Sequence, residues 1–594
     1  MLTRRGLPFI FAILFAVLPA QAKEQSALEL EPIVVTQSGS LATSGYSVRY
    51  RDPQYWAFEF PLESLKLLPI DMEERSLSGS SQTRFSLRGS TTRGVLMLLD
   101  GQRINDPQTE YYNSDIPFTK EDIRRIDILP SGASRTAGPD AIGGAVSIAL
   151  KKPEADKKVL ELGYGSHDAA NMLLSLSQKM DTFSTRVSVE SHRDRGFSYD
   201  TDSKGFIISS VSWLEVPAGD INLSAGYQEK EYGAYDFYTP GKGNPSREWT
   251  RTYLLKSDAD FKGDGFLIKP SMLWRRHYDK FMLDETSTSS NHHRSDIYTP
   301  AVYLEKETAA VGTLGLSLEY GEERMNSTNL GKHNRNHKSL ALSDKVRLGE
   351  KISLDFSLRR DDFDGFGDAY YGSANARFRV SEYGSLFMGA SRDIRIPSFT
   401  ELYYDYYDTV GDAGLAAEKS LSCELGYDYS REGLKDGVKI FYRDENDLID
   451  WVWTDSTQRW QAQNIGVAKV MGAECYFNVR ASKILSFNLN YTYINKKFKE
   501  QDYIFKYGPN YARHIFNGSF NLNTGRVTSM FWVLYKKKPL RSGWWLLGVC
   551  CDYRLNEKAV LFFRATNLLN VDYQEIEGIP QPGRYLEGGL RIEW

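Results

Sequence analysis

From about Leu160 to the last residue, Trp594, the chain runs in segments of eight to ten residues in which apolar and polar side chains alternate, separated by clusters of Gly, Asn, Asp and Pro. A period of two puts successive side chains on opposite faces of an extended chain, so these segments predict strands joined by turns. Leu485, Phe487, Leu489, Tyr491 and Tyr493 share one face, and Ser486, Asn488, Asn490 and Thr492 share the other. Phe516, Phe520 and Leu522 oppose Asn517, Ser519 and Asn521 in the same way. The wet faces are rich in uncharged Ser, Asn and Thr, whereas the outer face of a soluble sandwich carries many charges. An apolar face toward lipid and a polar face toward a water-filled lumen account for both.

Length then sets the size of the cylinder and raises the question of its hole. About 435 residues follow position 157, and at roughly 20 residues per strand and connection they make about 22 strands. An open barrel of that size would leak, and barrels with so many strands have an occupied lumen. The expected fold is therefore an all-β transmembrane barrel of antiparallel strands over 157–594, with an N-terminal mixed α/β plug over 41–153 inside it. Residues 1–22 read as a secretory signal peptide: Arg4 and Arg5, the apolar run Phe9 to Leu18, and the small-x-small site Ala20-Gln21-Ala22, with cleavage expected after Ala22. That run falls short of the ~20 residues a spanning helix needs, and no later stretch is longer, so membrane crossing falls to strands. Residues 23–40 read as a mobile segment.

Composition excludes more than it assigns. A formal net charge of -4 gives no reason to expect nucleic acid as a partner. The four cysteines, Cys423, Cys475, Cys550 and Cys551, have no metal-binding spacing, and the adjacent pair would point to opposite faces of one strand. No nucleophile elbow or paired Ser/His constellation occurs, so an enzyme is not expected. His292, His293, His333 and His337 lie in stretches that read as loops.

Short motifs before residue 157 carry a specific resemblance. Phe85-Ser86-Leu87-Arg88-Gly89, the run Val95 to Leu99 ended by Asp100-Gly101-Gln102-Arg103, Ile123-Arg124-Arg125-Ile126, and Asp140-Ala141-Ile142-Gly143-Gly144 stand in the order of the plug signature of TonB-dependent receptors. Pro130-Ser131-Gly132 and Ala137-Gly138 depart from that signature. The physics of these residues is independent of the family. Val95 to Leu99 predicts a strand buried on both faces, followed by a tight Asp100-Gly101 turn. Gly143 and Gly144 would allow close packing against the barrel wall. Arg88, Arg103, Arg124 and Arg125 could meet carboxylates that line the lumen. Upstream, Pro32-Ile33-Val34-Val35-Thr36 resembles the TonB box, and its β-branched residues suit strand addition to a partner's sheet edge.

The resemblance continues through the barrel segment Ser391 to Tyr403, Asn464 to Glu474, and Asn567 to Tyr573, and it extends to the last strand, where Leu586, Leu590, Ile592 and Trp594 alternate with polar residues like a barrel-assembly signal. It implies a monomeric outer-membrane receptor of a Gram-negative cell, embedded in outer-membrane lipids and inserted by the barrel assembly machinery. Its partners would be TonB with its inner-membrane energising complex and a small nutrient ligand. Cobalamin receptors look most similar, with ferric siderophore and haem receptors as alternatives, and a passive porin or adhesin as the alternative of another class. By position, the ligand would meet the plug apex from Ser78 to Gln82, with Ser80 and Gln82, and from Gln108 to Asn113, with Gln108, Glu110, Tyr111, Tyr112 and Asn113. Tyr403, Tyr404, Tyr406 and Tyr407 would ring the mouth. No cofactor is required, but the cobalamin-receptor likeness implies a loop-ordering calcium site at Asp200, Asp202 and Asp236.

Overall fold

The computed structural model describes residues 45–49, 58, 60–75, 80–129, 138–239, 241–284, 289–308, 312–406, 408–455, 457–499, 504–508 and 510–594. The signal peptide and the TonB-box residues Pro32 to Thr36 lie outside them, as do Ser78, the stretch Pro130-Ser131-Gly132 and Tyr407.

Twenty-two antiparallel strands close into a barrel. The first, Lys157–Gly165, pairs with the last, Tyr585–Glu593, and Lys158 and Trp594 exchange backbone hydrogen bonds of 2.9 and 3.0 Å at the seam. Closure leaves no unpaired sheet edge, the condition for strands to cross hydrocarbon. Among the described residues no helix is long and apolar enough to cross a membrane.

The alternation resolves as expected on the outside. Leu223, Leu255, Leu318, Leu340 and Leu342 are each more than 40% exposed, while their inward neighbours Ser224, Thr252 and Ser339 are buried. Exposed leucines in a closed belt make sense only against lipid. Two features differ from the expectation. Strands reach 18 residues, as in Asn291–Thr308 and Gly331–Leu348, because they continue past the apolar belt toward one rim. The inward face also carries many charges, including Glu161, Lys230, Lys256, Arg275 and Glu474, all buried because a plug covers them.

The plug is built on a five-stranded sheet of β1 (Tyr46–Arg49), β4 (Val95–Leu99), β5 (Gln102–Arg103), β6 (Ile123–Leu129) and β7 (Gly144–Leu150), in the order β1-β6-β7-β4-β5. A separate hairpin pairs β2 (Asp71–Glu74) with β3 (Thr83–Ser86), and a short 3-10 helix spans Pro61–Leu67. β4 runs parallel to β7 and every one of its residues is buried, as the unbroken apolar run requires. Asp100 and Gly101 take φ of +46° and +87° to make the hairpin turn into β5. The plug core, with Leu65, Met97, Ile126 and Ile148, continues into Val211, Leu254 and Leu273 of the wall, so plug and barrel share one apolar cluster.

Candidate functional site at the plug apex

The plug is seated by charge. Arg88 has a φ of +50° and Gly89 one of +72°, so the Leu87–Ser90 turn is left-handed and thrusts the guanidinium at the wall. Arg88 donates two bonds to Glu474, of 2.8 and 2.9 Å, and one of 2.8 Å to Glu424. The wall answers the turn's own carbonyls: Arg443 donates to Arg88 O at 2.9 Å and Lys496 to Gly89 O at 3.1 Å. Tyr46, on the strand nearest the N-terminal segment, donates to the same Glu474 at 3.1 Å. Arg103 bridges Asp140 of the plug at 2.7 Å and Glu323 of the wall at 2.6 Å. Arg125 pairs instead with Asp127 on its own strand, at 2.9 Å, because β6 lies within the plug sheet.

The glycines sort differently from expectation. A Cβ on Gly143 would meet Ser90 Oγ at 2.3 Å and Leu87 O at 2.7 Å, so its close contact is inside the plug, and Gly144, φ +134°, opens β7. Gly89 is the residue against the wall, where a Cβ would stand 2.9 Å from Ile494 Cγ2. We expect Gly89→Val to destabilise the seated plug by about 1–3 kcal/mol through overpacking on a left-handed backbone. Urea titration read by plug hydrogen exchange measures this, and an unchanged midpoint would contradict it.

The apex residues expected to face a ligand are largely engaged in holding the plug. Glu110 accepts from Arg93 at 3.0 Å and Thr92 at 3.2 Å, and Arg84 stands 3.7 Å away. Tyr112 donates to Glu248 of the wall at 2.5 Å and stacks on His277 at 4.2 Å. Gln82 donates to Glu248 at 2.9 Å, and Ser80 Oγ accepts from Ser203 at 2.7 Å. Gln108 and Asn113 are buried, with Asn113 Oδ1 accepting from Asp106 N at 2.8 Å. Short polar side chains in a strand-rich polypeptide look alike whether they meet ligand or wall, and only the register decides.

Tyr111 is the exception. It is half-buried, its hydroxyl lies 3.1 Å from that of Tyr507, and the guanidinium groups of Arg75 and Arg84 stand 5.5 and 5.2 Å from its ring. Arg75 also stands over Phe237 and Tyr238 at 5.1 and 5.6 Å and donates to Phe237 O at 2.7 Å. Among the described residues no carboxylate forms an ion pair with Arg75, and burial together with Arg84 pulls its pKa down. Above the apex, a four-stranded sheet of Asp405–Tyr406, Thr409–Val410, Arg459–Asn464 and Ile449–Thr454 forms a cover. Asp450, buried in it, accepts from Gly508 N at 2.5 Å and Tyr507 N at 3.2 Å, and so fixes Tyr507 over Tyr111. Tyr406 is exposed on this cover and Tyr404 half-buried, while Tyr403 turns away to stack on His333 at 3.6 Å. Arg75, Glu248 and Tyr507 belong to no motif, and nothing in the sequence singles them out; Asp450 ends the run Tyr442 to Asp450 that resembles cobalamin receptors, but that run assigns it no role.

Two other expectations are corrected. The histidines lie in strands, His292 and His293 in Asn291–Thr308 and His333 and His337 in Gly331–Leu348. Among the described residues no group of three or more His, Cys, Asp or Glu could hold a metal ion. Asp202 is spent on Arg247 at 2.8 Å, with Asp200 at 3.6 Å from the same guanidinium. Asp236 accepts from the backbone of Gly241, Gly243 and Asn244 at 2.9–3.0 Å, which ties down its loop.

Burial would raise the carboxyl of Glu121 in the plug, but Arg591 and Lys157 hold it at about 2. Burial would likewise raise Glu401 in the loop, yet Arg395 and Arg93 hold it at about 2. A carboxyl depressed from 4.5 to about 2 contributes stability above pH 4.5 that is lost as pH falls toward 2, about 3 kcal/mol each. The stability difference between the wild type and Glu121→Gln, measured by calorimetry, should therefore be constant from pH 8 to 5.5 and shrink below pH 4.5; a difference that begins to shrink above pH 6 would contradict this.

A family model described as the β-barrel of TonB-dependent receptors matches residues 164–568, and a second, described as the TonB-dependent receptor plug domain, matches residues 69–145. The chain belongs to the TonB-dependent receptor family. Members of this family are receptors and transporters rather than enzymes, so a small ligand and TonB are this receptor's partners and an outer membrane its setting. The receptor is 23% identical over 449 residues to a vitamin B12 transporter, BtuB, of Vibrio vulnificus, across 70% of this chain and 69% of that protein. Its fold is similar to the FrpB iron transporter from Neisseria meningitidis, with a TM-score of 0.78, 13% identity and coverage of 94% and 100%. A ferric enterobactin receptor, PfeA, from Pseudomonas aeruginosa in complex with enterobactin gives 0.77, 18%, 94% and 100%. At these identities the structural likenesses establish the TonB-dependent receptor fold alone.

Proposed function

We propose that this receptor captures a corrinoid at the plug apex and passes it to the periplasm when TonB pulls on the segment Pro32-Ile33-Val34-Val35-Thr36. The observation that carries the transport reading is the mode of seating. A plug held by many replaceable ion pairs, rather than by a dry interface alone, can be loosened and reset. Tyr111 and Tyr406 are the first ligand contacts in this reading, since the remaining apex residues hold the plug. The corrinoid is favoured by the likeness to the vitamin B12 transporter, which runs over most of both chains.

One observation favours a second reading. Arg75 is a buried cation without an ion-pair partner among the described residues, ringed by Tyr111, Phe237 and Tyr238. Such a site suits an anionic, aromatic ferric chelate. Titration of the purified receptor with cyanocobalamin and with a ferric tricatecholate separates the two. Saturable cyanocobalamin binding below micromolar concentration supports the first, and binding of the catecholate alone would replace it. Coupling is tested separately by Ile33→Pro, which removes a ladder donor from the pulled strand. Uptake is expected to fall at least tenfold with binding unchanged, and undiminished uptake would contradict energised coupling.

A further inference from the structure

A tyrosine pair bridges plug and cover at the apex, and cations surround it. The Tyr111 and Tyr507 hydroxyls lie 3.1 Å apart, and both side chains are half-buried. One proton serves the bond between them, so the accepting phenol keeps its own O–H to donate elsewhere. Among the described residues neither hydroxyl bonds to a further group. Arg75 and Arg84 stand 5.5 and 5.2 Å from the Tyr111 ring, and Arg93 and Lys506 stand 5.4 and 5.8 Å from the Tyr507 ring.

Two of these cations are matched by acids and two are not. Arg84 pairs with Glu73 at 2.7 Å, and Arg93 with Glu110 and Glu401 at 3.0 and 3.3 Å. Glu73 also holds Lys538 at 2.8 Å, and Glu401 also holds Arg395 at 2.8 Å, so these acids are already shared. Arg75 and Lys506 form no ion pair among the described residues, and the buried Arg75 Nε has no hydrogen-bond partner among them. Asp450 and Asp408, both within electrostatic reach of Lys506, are engaged elsewhere. Asp450 accepts from the backbone N–H groups of Trp451, Tyr507 and Gly508, and Asp408 faces Lys242 at 3.5 Å. An aromatic face offsets only part of what a buried cation loses on leaving water, and an anion in the gap between apex and cover would offset the rest. The two charges come from opposite sides of that gap: Arg75 follows strand β2 of the plug, whereas the Lys506 backbone donates to Trp451 O of the cover at 3.0 Å.

We infer that Arg75, Lys506 and the Tyr111–Tyr507 pair clamp the phosphodiester of a corrinoid's nucleotide arm, and so select complete corrinoids over those without the arm. The inference rests on the corrinoid reading and gives the excess positive charge a place within it. A diester stays ionised at any pH a cell surface meets. Its two unbridged oxygens can face two cations at once, and either can accept the phenol proton that the tyrosine pair leaves over.

The purified receptor in detergent is titrated with cyanocobalamin and with dicyanocobinamide, which shares the corrin ring and cobalt and lacks the nucleotide arm. The wild type is expected to bind cyanocobalamin about tenfold more tightly than dicyanocobinamide, or better. The double variant Arg75→Gln, Lys506→Gln is expected to lose that preference and to hold dicyanocobinamide as the wild type does. Arg75→Lys with Lys506→Arg, which keeps both charges, should retain most of it. A wild type that binds the two corrinoids equally would overturn the inference, and this result needs no variant to fold. So would a glutamine variant that keeps the preference, or one that loses both corrinoids alike. Binding of neither corrinoid by the wild type would bring down the corrinoid reading and the inference together.

Discussion

Replacing Arg88 by alanine should unseat the plug: about 3–5 kcal/mol of plug stability is expected to be lost, a shift of roughly two to four orders of magnitude in the seating equilibrium constant. The size follows from what stays behind. Glu474 and Glu424 are both buried, at 3% and 8% exposure, and each would face the gap without its guanidinium. Lys439, also buried nearby, and Tyr46 offer Glu474 partial relief, so Glu424 bears more of the cost. The left-handed turn at Arg88 would at the same time lose the contacts that hold it. Adding Glu474→Gln and Glu424→Gln to Arg88→Ala removes the stranded charges, so the triple variant should recover part of the stability lost by the single one. Hydrogen exchange of β1 and β6 in urea reads both. A single variant with wild-type protection, or a triple variant worse than the single, would contradict this account.

The same cluster suggests where a pull on the N-terminal segment first acts. β1 is an edge strand of four residues, paired among the described strands with β6 alone, and its Tyr46 bonds directly to the carboxylate that grips Arg88. Peeling a short edge strand breaks hydrogen bonds one after another, whereas shearing the buried β4–β7 pair would break them together. A pull on the N-terminal segment is therefore expected to free β1 before the β4–β7 pair.

How much of this was readable beforehand depended on the type of signal. Alternation over Leu485 to Tyr493 suffices for a lipid-facing strand, because a period of two has a single structural meaning when one face is greasy. The unbroken run Val95 to Leu99 with Asp100-Gly101 likewise encodes a buried strand and its turn within seven residues. Arg88 and Arg103 read correctly as lumen-facing cations, but Arg125 did not, since neighbouring arginines on one strand alternate faces and the sequence does not say which face meets the wall. The apex was the hardest part. Tyr111 and Tyr112 are adjacent and chemically identical, yet one is clamped to Glu248 and the other faces the cover, a distinction made by residues more than a hundred positions away. For the acidic trio Asp200, Asp202 and Asp236 the sequence likewise hides the partners that the fold supplies: Arg247 for Asp202 and three backbone N–H groups for Asp236.

Removing residues 45–153 should have the largest effect of all, because the charges that line the bore would then face water across a cylinder of 22 strands. In a planar bilayer the intact receptor is expected to be electrically silent and the shortened chain to form wide, continuously open channels. An intact receptor that conducts as freely as the shortened one would mean that the plug does not stop the bore, and the transport account would fall with it.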